Sequence, residues 1–208
     1  MKNFKSLCFV VVFGACIGPS TEARVQQSTN SSPVDAGRRQ DMYAVYSQIM
    51  SNPPTSFGND MNTTYVIQAM TIAKAPKSPT PPDGVLAEFL AKFGQPCVEP
   101  PAQYQGRWNE ILAEYNAGAP SIPLERLMNI AKPYVLVSNE GASTPIPGVR
   151  DFFRLTNVYF NRNRTLALAG VGSSCGTLCG HFEWLIFERT TGSGWQKVPL
   201  IKSCSIDN

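Results

Sequence analysis

The sequence predicts an α+β domain, in which N-terminal helices pack on a C-terminal antiparallel β-meander of about four or five strands. Two observations favour this fold class. Between residues 41 and 116, apolar side chains recur at helical spacing in three segments. After residue 150, short apolar runs alternate with turn-forming residues, which is typical of hairpins. Helices that precede the strands in this way indicate α+β rather than the alternating order of an α/β protein.

The first 23 residues have the pattern of an export signal. Lys2 and Lys5 precede a short apolar run, and small residues follow that run. The run is about half of the ~20 residues that a membrane-spanning helix needs, so we expect residues 1–23 to be removed as a signal peptide. Alternatively, Phe13-Gly-Ala-Cys16 resembles a bacterial lipoprotein box, in which Cys16 becomes a lipidated N-terminus and anchors the chain to a membrane. Both routes place the protein outside the cytoplasm (in the periplasm, in the medium or on the cell envelope), where disulfides persist.

The rest of the chain divides into a tether and one domain. Residues 24–40 are polar and lack apolar periodicity, so we predict a disordered tether there. Residues 41–208 have the length of a single domain, and hydrophobic residues make up 43% of the whole chain, which is enough to form a core. No later apolar run is long enough and free enough of charge to span a membrane.

Three segments have the apolar spacing of amphipathic helices, at residues 41–50, 83–93 and 104–116. In the first of these, four apolar side chains share one face: Met42, Val45, Tyr46 and Ile49. Pro53 ends this helix, because proline cannot continue the helical hydrogen bonds. Residues 124–130 are predicted to add a short helical turn.

The predicted strands are short runs rich in β-branched and aromatic residues. Two of them precede the meander, at residues 63–73 and 134–138. The meander itself is expected from four runs that are bounded by turn residues: 151–160, 165–171, 182–188 and 195–203. Asn161 to Arg164 and Thr191 to Gly194 provide the turns that join antiparallel strands.

Four cysteines lie beyond the predicted signal: Cys97, Cys175, Cys179 and Cys204. An even number in an exported chain indicates two disulfides, for which three pairings exist. In an extended chain, Cys175 and Cys179 would lie about 13 Å apart, whereas a disulfide needs Cα atoms within roughly 4.4–6.8 Å of each other. Because Gly176 and Gly180 allow the tight reversal that this distance requires, we predict a Cys175–Cys179 disulfide. Cys97–Cys204 is then the second disulfide by elimination.

The alternative for the same segment is a metal or redox site. Cys175, Cys179 and the only histidine, His181, offer two thiolates and one imidazole within seven residues, and such soft ligands suit copper(I) or zinc. The spacing departs from the Cys-x2-Cys pattern of zinc sites. No helix evidently follows whose N-terminus could lower a thiol pKa, as it does in redox motifs. We therefore prefer the disulfide, and we expect no metal and no cofactor.

Catalytic patterns do not occur in the sequence. A Ser-His-Asp arrangement would have to use His181, and although Ser173 and Ser174 lie nearby, no Gly-x-Ser-x-Gly elbow surrounds them. Glu110 and Glu114 are predicted to lie on a solvated helix face. No phosphate-binding loop or dinucleotide fingerprint occurs either. These observations favour a non-catalytic binding or structural module of the cell envelope, with an unidentified ligand.

The charge of the chain limits the classes of partner. A formal net charge of +3 at pH 7 favours neither a nucleic acid nor another acidic polymer. The one local bias is a set of four arginines near the C-terminus: Arg150, Arg154, Arg162 and Arg164. They would form a small anion site only if the fold brought them together, and they otherwise belong to solvated strand edges and a turn.

The C-terminal quarter of the chain resembles a family of uncharacterised exported bacterial proteins. The shared pattern is a Phe-Asn-x-Asn-x-Thr-x-Ala-Leu hairpin at Phe160 to Leu168, then Cys-Gly-x-Leu-Cys-Gly at Cys175 to Gly180. An aromatic strand at Phe182 to Phe187 and the Gly194-Trp195 turn follow. The resemblance implies export and this strand-rich fold, but no activity, substrate or cofactor. His181 departs from the family, in which a glycine or another small residue often stands there, so the resemblance implies no histidine ligand.

Overall fold

The computed structural model describes residues 33–53, 64–73, 98–138, 152–174, 180–202 and 205–207. These residues contain two α-helices, α1 (Pro33–Ser51) and α2 (Gln105–Ala117), and a 3₁₀ turn (Ala102–Tyr104) directly before α2. They also contain eight strands: β1 (Tyr65–Gln68), β2 (Tyr134–Val137), β3 (Phe152–Leu155), β4 (Tyr159–Phe160), β5 (Leu166–Ser174), β6 (Gly180–Thr190), β7 (Gly194–Lys197) and β8 (Ser205–Asp207). The predicted α+β class is confirmed.

The strands form one mixed sheet in the order β2-β1-β3-β5-β6-β7, with β4 beside β5 and β8 beside β6. β1 runs parallel to both of its neighbours, and the other described pairs are antiparallel. The C-terminal strands β3, β5, β6 and β7 are antiparallel neighbours, as predicted for the meander, but β1 and β2 extend the same sheet through parallel pairs, which the sequence did not predict. The reason lies in residues 69–133, which connect β1 to β2 and contain α2. A parallel pair needs a crossover of a dozen or more residues, and this connection supplies one.

α1 begins at Pro33, so the predicted tether over residues 24–40 is wrong from residue 33 onward. Proline is favoured in the first turn of a helix, where its missing N–H has no helical partner to lose. This start signal precedes the apolar face of the helix, which is why apolar spacing alone placed the start too late. The second helix, α2, confirms the helix predicted at 104–116.

Residues 124–130 do not form the predicted helical turn. The Leu124 N–H donates to the carbonyl of Ala69 (2.7 Å), and the Thr71 N–H donates to the carbonyl of Ile122 (3.0 Å). Residues 122–124 therefore pair with the residues that follow β1. Further along, the backbone N–H groups of Glu125, Met128 and Asn129 donate to side-chain hydroxyls instead of closing a helical turn.

Two other predicted elements end differently or lie elsewhere. The strand predicted at 195–203 is interrupted, because β7 ends at Lys197 and β8 then pairs with the same strand, β6, from Ser205. The helix predicted at 83–93 lies outside the described residues.

The centre of the sheet is buried on both faces. Along β5, Ala167, Ala169 and Val171 belong to a cluster that includes side chains of α1. Leu166 and Leu168 belong to a second cluster, which includes side chains of α2. Successive residues of a strand point to opposite faces, so β5 is apolar on both sides. This explains why the sequence of β5 is continuously apolar. A strand with one face in water would alternate apolar and polar residues.

Gly170 of β5 allows an aromatic side chain to approach the sheet. A Cβ atom at Gly170 would lie 2.6 Å from Phe182 Cζ and 2.7 Å from Thr156 Cγ2, both too close for any side chain. The Phe182 ring meets Trp184 edge-on, with centroids 5.4 Å apart, and Trp184 in turn meets Tyr115 of α2 at 5.7 Å. The missing side chain at Gly170 therefore makes room for the aromatic row between the sheet and α2.

We expect Gly170→Ala to lower the free energy of unfolding by about 1–3 kcal/mol, because the methyl group overpacks a closed contact. Gly106→Ala is the matched control. Gly106 lies in α2, a Cβ there would have nothing within 4 Å, and alanine should raise the free energy of unfolding by up to about 1 kcal/mol. Denaturant unfolding measures both variants. Equal effects at the two glycines would contradict the packing of Phe182 on Gly170.

Tyr46 of α1 is fully buried, and its hydroxyl donates to the carbonyl of Thr156 at 2.7 Å. Burial raises the pKa of Tyr46 well above the ordinary value of 10.0, and nearby Tyr43 and Tyr159 raise it further. The unfolded chain therefore releases this proton at a lower pH than the folded protein does. The resulting stability is fully present below pH 10 and is lost as the pH rises through the folded pKa.

The free energy of unfolding should therefore fall as the pH rises above 10, and Tyr46→Phe should reduce the slope of that fall. At neutral pH, the same variant should lose about 1 kcal/mol, because the Thr156 carbonyl loses its donor. Denaturant unfolding over a series of alkaline pH values measures both effects. If the native protein and the variant lose stability with the same slope, Tyr46 does not set the alkaline limit.

Candidate functional site

Asp41 is a buried carboxylate that joins α1 to the C-terminal strands. Its side chain is only 7% exposed. Arg189 Nη1 lies 3.0 Å from Oδ1, Arg164 Nη1 lies 3.3 Å from Oδ2, and Trp195 Nε1 donates to Oδ1 at 3.4 Å. These partners come from β6, from the turn before β5 and from β7. Because a buried charge is tolerated only when it is paired and hydrogen-bonded, the two guanidinium groups allow an acid on α1 to lie against the sheet.

The turn between β4 and β5 fixes the position of Arg164. Arg164 has a φ of 51°, the one positive value at a non-glycine residue in the described part of the chain. Its guanidinium lies against the backbone of α1, where a Cβ at Gly37 would be 3.0 Å from Arg164 Nη1. Asn161 closes the turn, because its Oδ1 accepts the N–H groups of Thr165 (2.8 Å) and Leu166 (2.7 Å). The Phe-Asn-x-Asn-x-Thr pattern is thus a turn signal in this protein.

Glu110 and Glu114 of α2 hold the same turn, so the helix face predicted to be solvated is partly exposed and also makes specific contacts. Glu110 Oε2 accepts the backbone N–H of Arg162 at 2.9 Å, and Glu114 Oε2 accepts the backbone N–H of Phe160. Glu114 Oε1 also pairs with Arg38 of α1. Residues four apart share one face of a helix, and here that partly exposed face accepts hydrogen bonds from backbone N–H groups of the turn.

These groups line a cleft of about 550 Å³, and its charged lining is Arg38, Glu110, Glu114, Arg162 and Arg164. Arg38 pairs with Glu114 and also lies over the Phe160 ring, 5.1 Å from its centroid. Arg164 pairs with Asp41. Most of these charges are paired within the protein. The charged residues of the cleft therefore stabilise the turn between β4 and β5 and do not form a strongly charged binding site.

The four arginines noted in the sequence do not converge on one site. Arg162 and Arg164 share the cleft, whereas Arg154 lies on β3 opposite Gly172 of β5. Arg150 lies outside the described residues. No site built from all four arginines therefore exists in the described part of the chain.

Arg154 is a half-buried cation with no acidic partner among the described residues. Its Nε–H donates to Gln68 Oε1 at 3.2 Å, and its guanidinium carbon lies 5.0 Å from the centroid of the Phe152 ring. None of the ion pairs in the described ranges includes it. Burial lowers the pKa of Arg154, because a poorly solvated environment disfavours the charged form.

The end of the β5–β6 hairpin carries the histidine. Ser173 of β5 and Asp207 of β8 are the register partners of His181 on its two sides, which brings the residue types of a Ser-His-Asp site into one row. Ser173 Oγ is nevertheless buried and has no hydrogen-bond partner. A serine nucleophile needs a base in contact with its hydroxyl, so the row lacks the contact that would activate Ser173.

The cysteines of the predicted disulfides and of the predicted lipidation site lie outside the described residues: Cys16, Cys97, Cys175, Cys179 and Cys204. Of the alternative metal or redox set, the structure describes His181 alone. Within the described ranges, no three His, Cys, Asp or Glu side chains come together as a metal-binding group.

The pair formed by Gln68 and Arg154 was not predicted from the sequence. The two residues are 86 positions apart, and only the parallel pairing of β1 with β3 brings them together. A weak signal exists, since Arg154 is a charged residue inside the apolar run Phe152–Leu155.

Comparisons with known proteins gave no relative: no family model, no curated protein and no solved structure matches this chain. None of the described helices combines the length and the apolar character that are needed to cross a membrane.

We expect Asp41→Asn to lower the free energy of unfolding by about 1.5–3 kcal/mol, because charge-assisted hydrogen bonds to the carboxylate are lost. The matched control is Glu125→Gln, which breaks the more exposed ion pair with Arg39 and should cost no more than about 1 kcal/mol. Denaturant unfolding of both variants measures the difference. A loss at Asp41 no larger than the loss at Glu125 would contradict the joining role of Asp41.

Proposed function

We propose that this protein is a non-catalytic, exported domain of the cell envelope, which acts as a binding or structural module and is closed by two disulfides. The export signal over residues 1–23 supports the location. A sheet whose centre is buried on both faces, with internal ion pairs in its cleft, supports a rigid framework. The observation that carries the proposal is the antiparallel register of the described strands beside the four predicted disulfide cysteines.

The last pair of the β5–β6 hairpin supports the Cys175–Cys179 disulfide. Ser174 and Gly180 are register partners, so the chain leaves β5 and enters β6 at facing positions. One further step along each strand would make Cys175 and Cys179 the next pair. Facing residues of antiparallel strands have Cα separations of about 4.5–5.5 Å, within the range of roughly 4.4–6.8 Å that a disulfide needs.

An isolated bridge supports the Cys97–Cys204 disulfide. Glu99 and Lys202 are antiparallel partners, and the Glu99 N–H donates to the Lys202 carbonyl while the Ile201 N–H donates to the Glu99 carbonyl, each at 3.0 Å. If this antiparallel register continued two residues beyond Glu99 and Lys202, it would pair Cys97 with Cys204. Neither of the other two cysteine pairings has such support from the described strand pairs.

The proposal includes two features of the N-terminal part. One is the predicted layer of N-terminal helices on the C-terminal strands, which the contacts of Asp41 with Arg189 and of Tyr46 with Thr156 support. The other is the processing of the chain, by release after residue 23 or by lipid anchoring at Cys16. With a net charge of only +3, a nucleic acid is not the proposed partner.

The alternative function is a periplasmic metal-binding or thiol-redox protein that uses Cys175, Cys179 and His181. The observation that favours it is the position of His181 on β6, next to the end of the hairpin and two residues beyond Cys179. Residues two apart in a strand share a face, so an extended chain there would direct both side chains to the same side.

The intact mass of the exported protein under non-reducing conditions decides between these functions. We expect two disulfides, and therefore a mass lower by about four hydrogen atoms than that of the reduced chain, two for each bond. Peptide mapping should recover Cys97 with Cys204 and Cys175 with Cys179. The same spectrum shows whether Cys16 carries lipid. Free thiols with stoichiometric copper or zinc would overturn the proposal in favour of the alternative.

Two double variants provide the matched comparison. Cys97 and Cys204 close a loop of more than a hundred residues, so Cys97→Ser/Cys204→Ser should lower the free energy of unfolding by up to about 4–5 kcal/mol on the chain-entropy model. Cys175→Ser/Cys179→Ser opens a loop of only a few residues and should cost about 2 kcal/mol on the same model.

A further inference from the structure

Gln68 and Arg154 together carry several hydrogen-bond donors that no described residue accepts. An arginine side chain has five N–H donors and no acceptor, and Gln68 Oε1 uses only the one on Nε. Since Gln68 has to offer its oxygen to this donor, its amide NH₂ group remains as two further donors. No described residue accepts a hydrogen bond from this NH₂ group or from the Nη atoms of Arg154.

These donors are at least partly exposed to solvent. The buried side-chain atoms without a hydrogen-bond partner in the described ranges are Arg164 Nη1, Ser173 Oγ and Trp184 Nε1. None of them belongs to Gln68 or Arg154. The unpaired donor atoms of these two residues are therefore not fully buried, although Gln68 as a whole is only 8% exposed.

The guanidinium of Arg154 is held in one orientation. The Phe152 ring lies against one face of it, and Gln68 fixes its Nε edge. The partner of Arg154 on β5 is Gly172, and a Cβ there would be 4.0 Å from Arg154 Cβ, so no side chain crowds the stem from that strand. Donors that are already oriented lose less conformational freedom when they bind a ligand.

Arg154 lacks the acidic partner that several other arginines of the described structure have. Arg38 pairs with Glu114, Arg107 pairs with Glu188, and Arg164 and Arg189 share Asp41. A half-buried cation is stabilised by a paired anion, and the chain supplies none to Arg154 in the described ranges. An anion from solution would complete the same arrangement that Arg38, Arg107, Arg164 and Arg189 find within the protein.

We propose that Arg154 and Gln68 bind the carboxylate group of a small ligand. The two Nη groups of Arg154 form the free edge of the guanidinium, and their parallel N–H bonds match the two oxygens of a planar carboxylate. The NH₂ group of Gln68 then donates to the nearer oxygen. This inference rests on the proposed function, because it names the ligand class of the binding module.

The test is a titration of the ¹⁵N-labelled mature protein, with its disulfides intact, against sodium acetate at constant sodium concentration, with chloride as the replaced anion. The arginine Nε–Hε signals are followed by NMR, and Arg154→Lys assigns the Arg154 signal. We expect the Arg154 signal to shift with a saturable curve. Arg162 is the matched control, because its exposed side chain has no partner among the described residues, and its signal should shift linearly if at all.

Two variants measure the contribution of each side chain, with backbone amide shifts as the readout of acetate binding. Arg154→Lys keeps the charge but loses the planar fork and should weaken acetate binding at least about tenfold, because a bidentate contact is lost. Gln68→Leu removes one donor and should weaken it about fivefold. The signals of the other arginines report whether each variant is folded. A linear response of Arg154 overturns the proposal, and tighter saturation with inorganic phosphate than with acetate overturns its assignment to carboxylates.

The mass spectrum of the same sample separates this inference from the proposed function. If the cysteines are free and Arg154 still saturates, the disulfide-closed module is wrong and the carboxylate site stands. If both disulfides are present and Arg154 responds linearly, the carboxylate site alone is wrong.

Discussion

The ion pairs of Asp41 connect the first helix to the last strands of the sheet. A buried carboxylate needs partners, and the chain provides Arg164, Arg189 and the Trp195 indole from three separate elements. The left-handed backbone of Arg164 is one cost of this arrangement. Glu110 and Glu114 then hold the neighbouring turn from the side of α2. The two helices thus meet the turn between β4 and β5 from different sides, which leaves little freedom at this end of the sheet.

The sheet separates two apolar clusters, and this limits the positions at which polar side chains can reach solvent or a ligand. Both faces of β5 are apolar and covered, so polar chemistry is confined to the ends of strands and to positions where a glycine leaves space. Arg154 lies at such a position, opposite Gly172, and His181 lies at the end of the β5–β6 hairpin. The cleft beside α2 has a volume of about 550 Å³, but most of its acids and arginines already hold the turn.

Local patterns in the sequence predicted the elements better than their arrangement. The apolar spacing of residues 104–116 was sufficient for α2, and the turn residues around 161–164 and 191–194 were sufficient for the hairpins. The parallel pairing of β1 was missed, because the local sequence of a strand does not specify which distant strand it pairs with. The contacts of Glu110 and Glu114 were missed for a related reason, since acids spaced four apart look the same whether or not they accept hydrogen bonds from backbone donors. The isolation of Arg154 likewise depends on tertiary neighbours.

The long separation between Asp41 and its partners has a consequence for the proposed export of the chain, which would begin at the N-terminus. Asp41 and Arg189 are 148 residues apart, and Asp41 and Trp195 are 154 apart. α1 thus emerges long before the residues that can neutralise its acid, and β1 emerges before both of its neighbours. Contacts of such high sequence separation form slowly. The contact order of this fold therefore delays its completion until nearly the whole chain is available, which under the proposed export would keep the polypeptide unfolded during translocation.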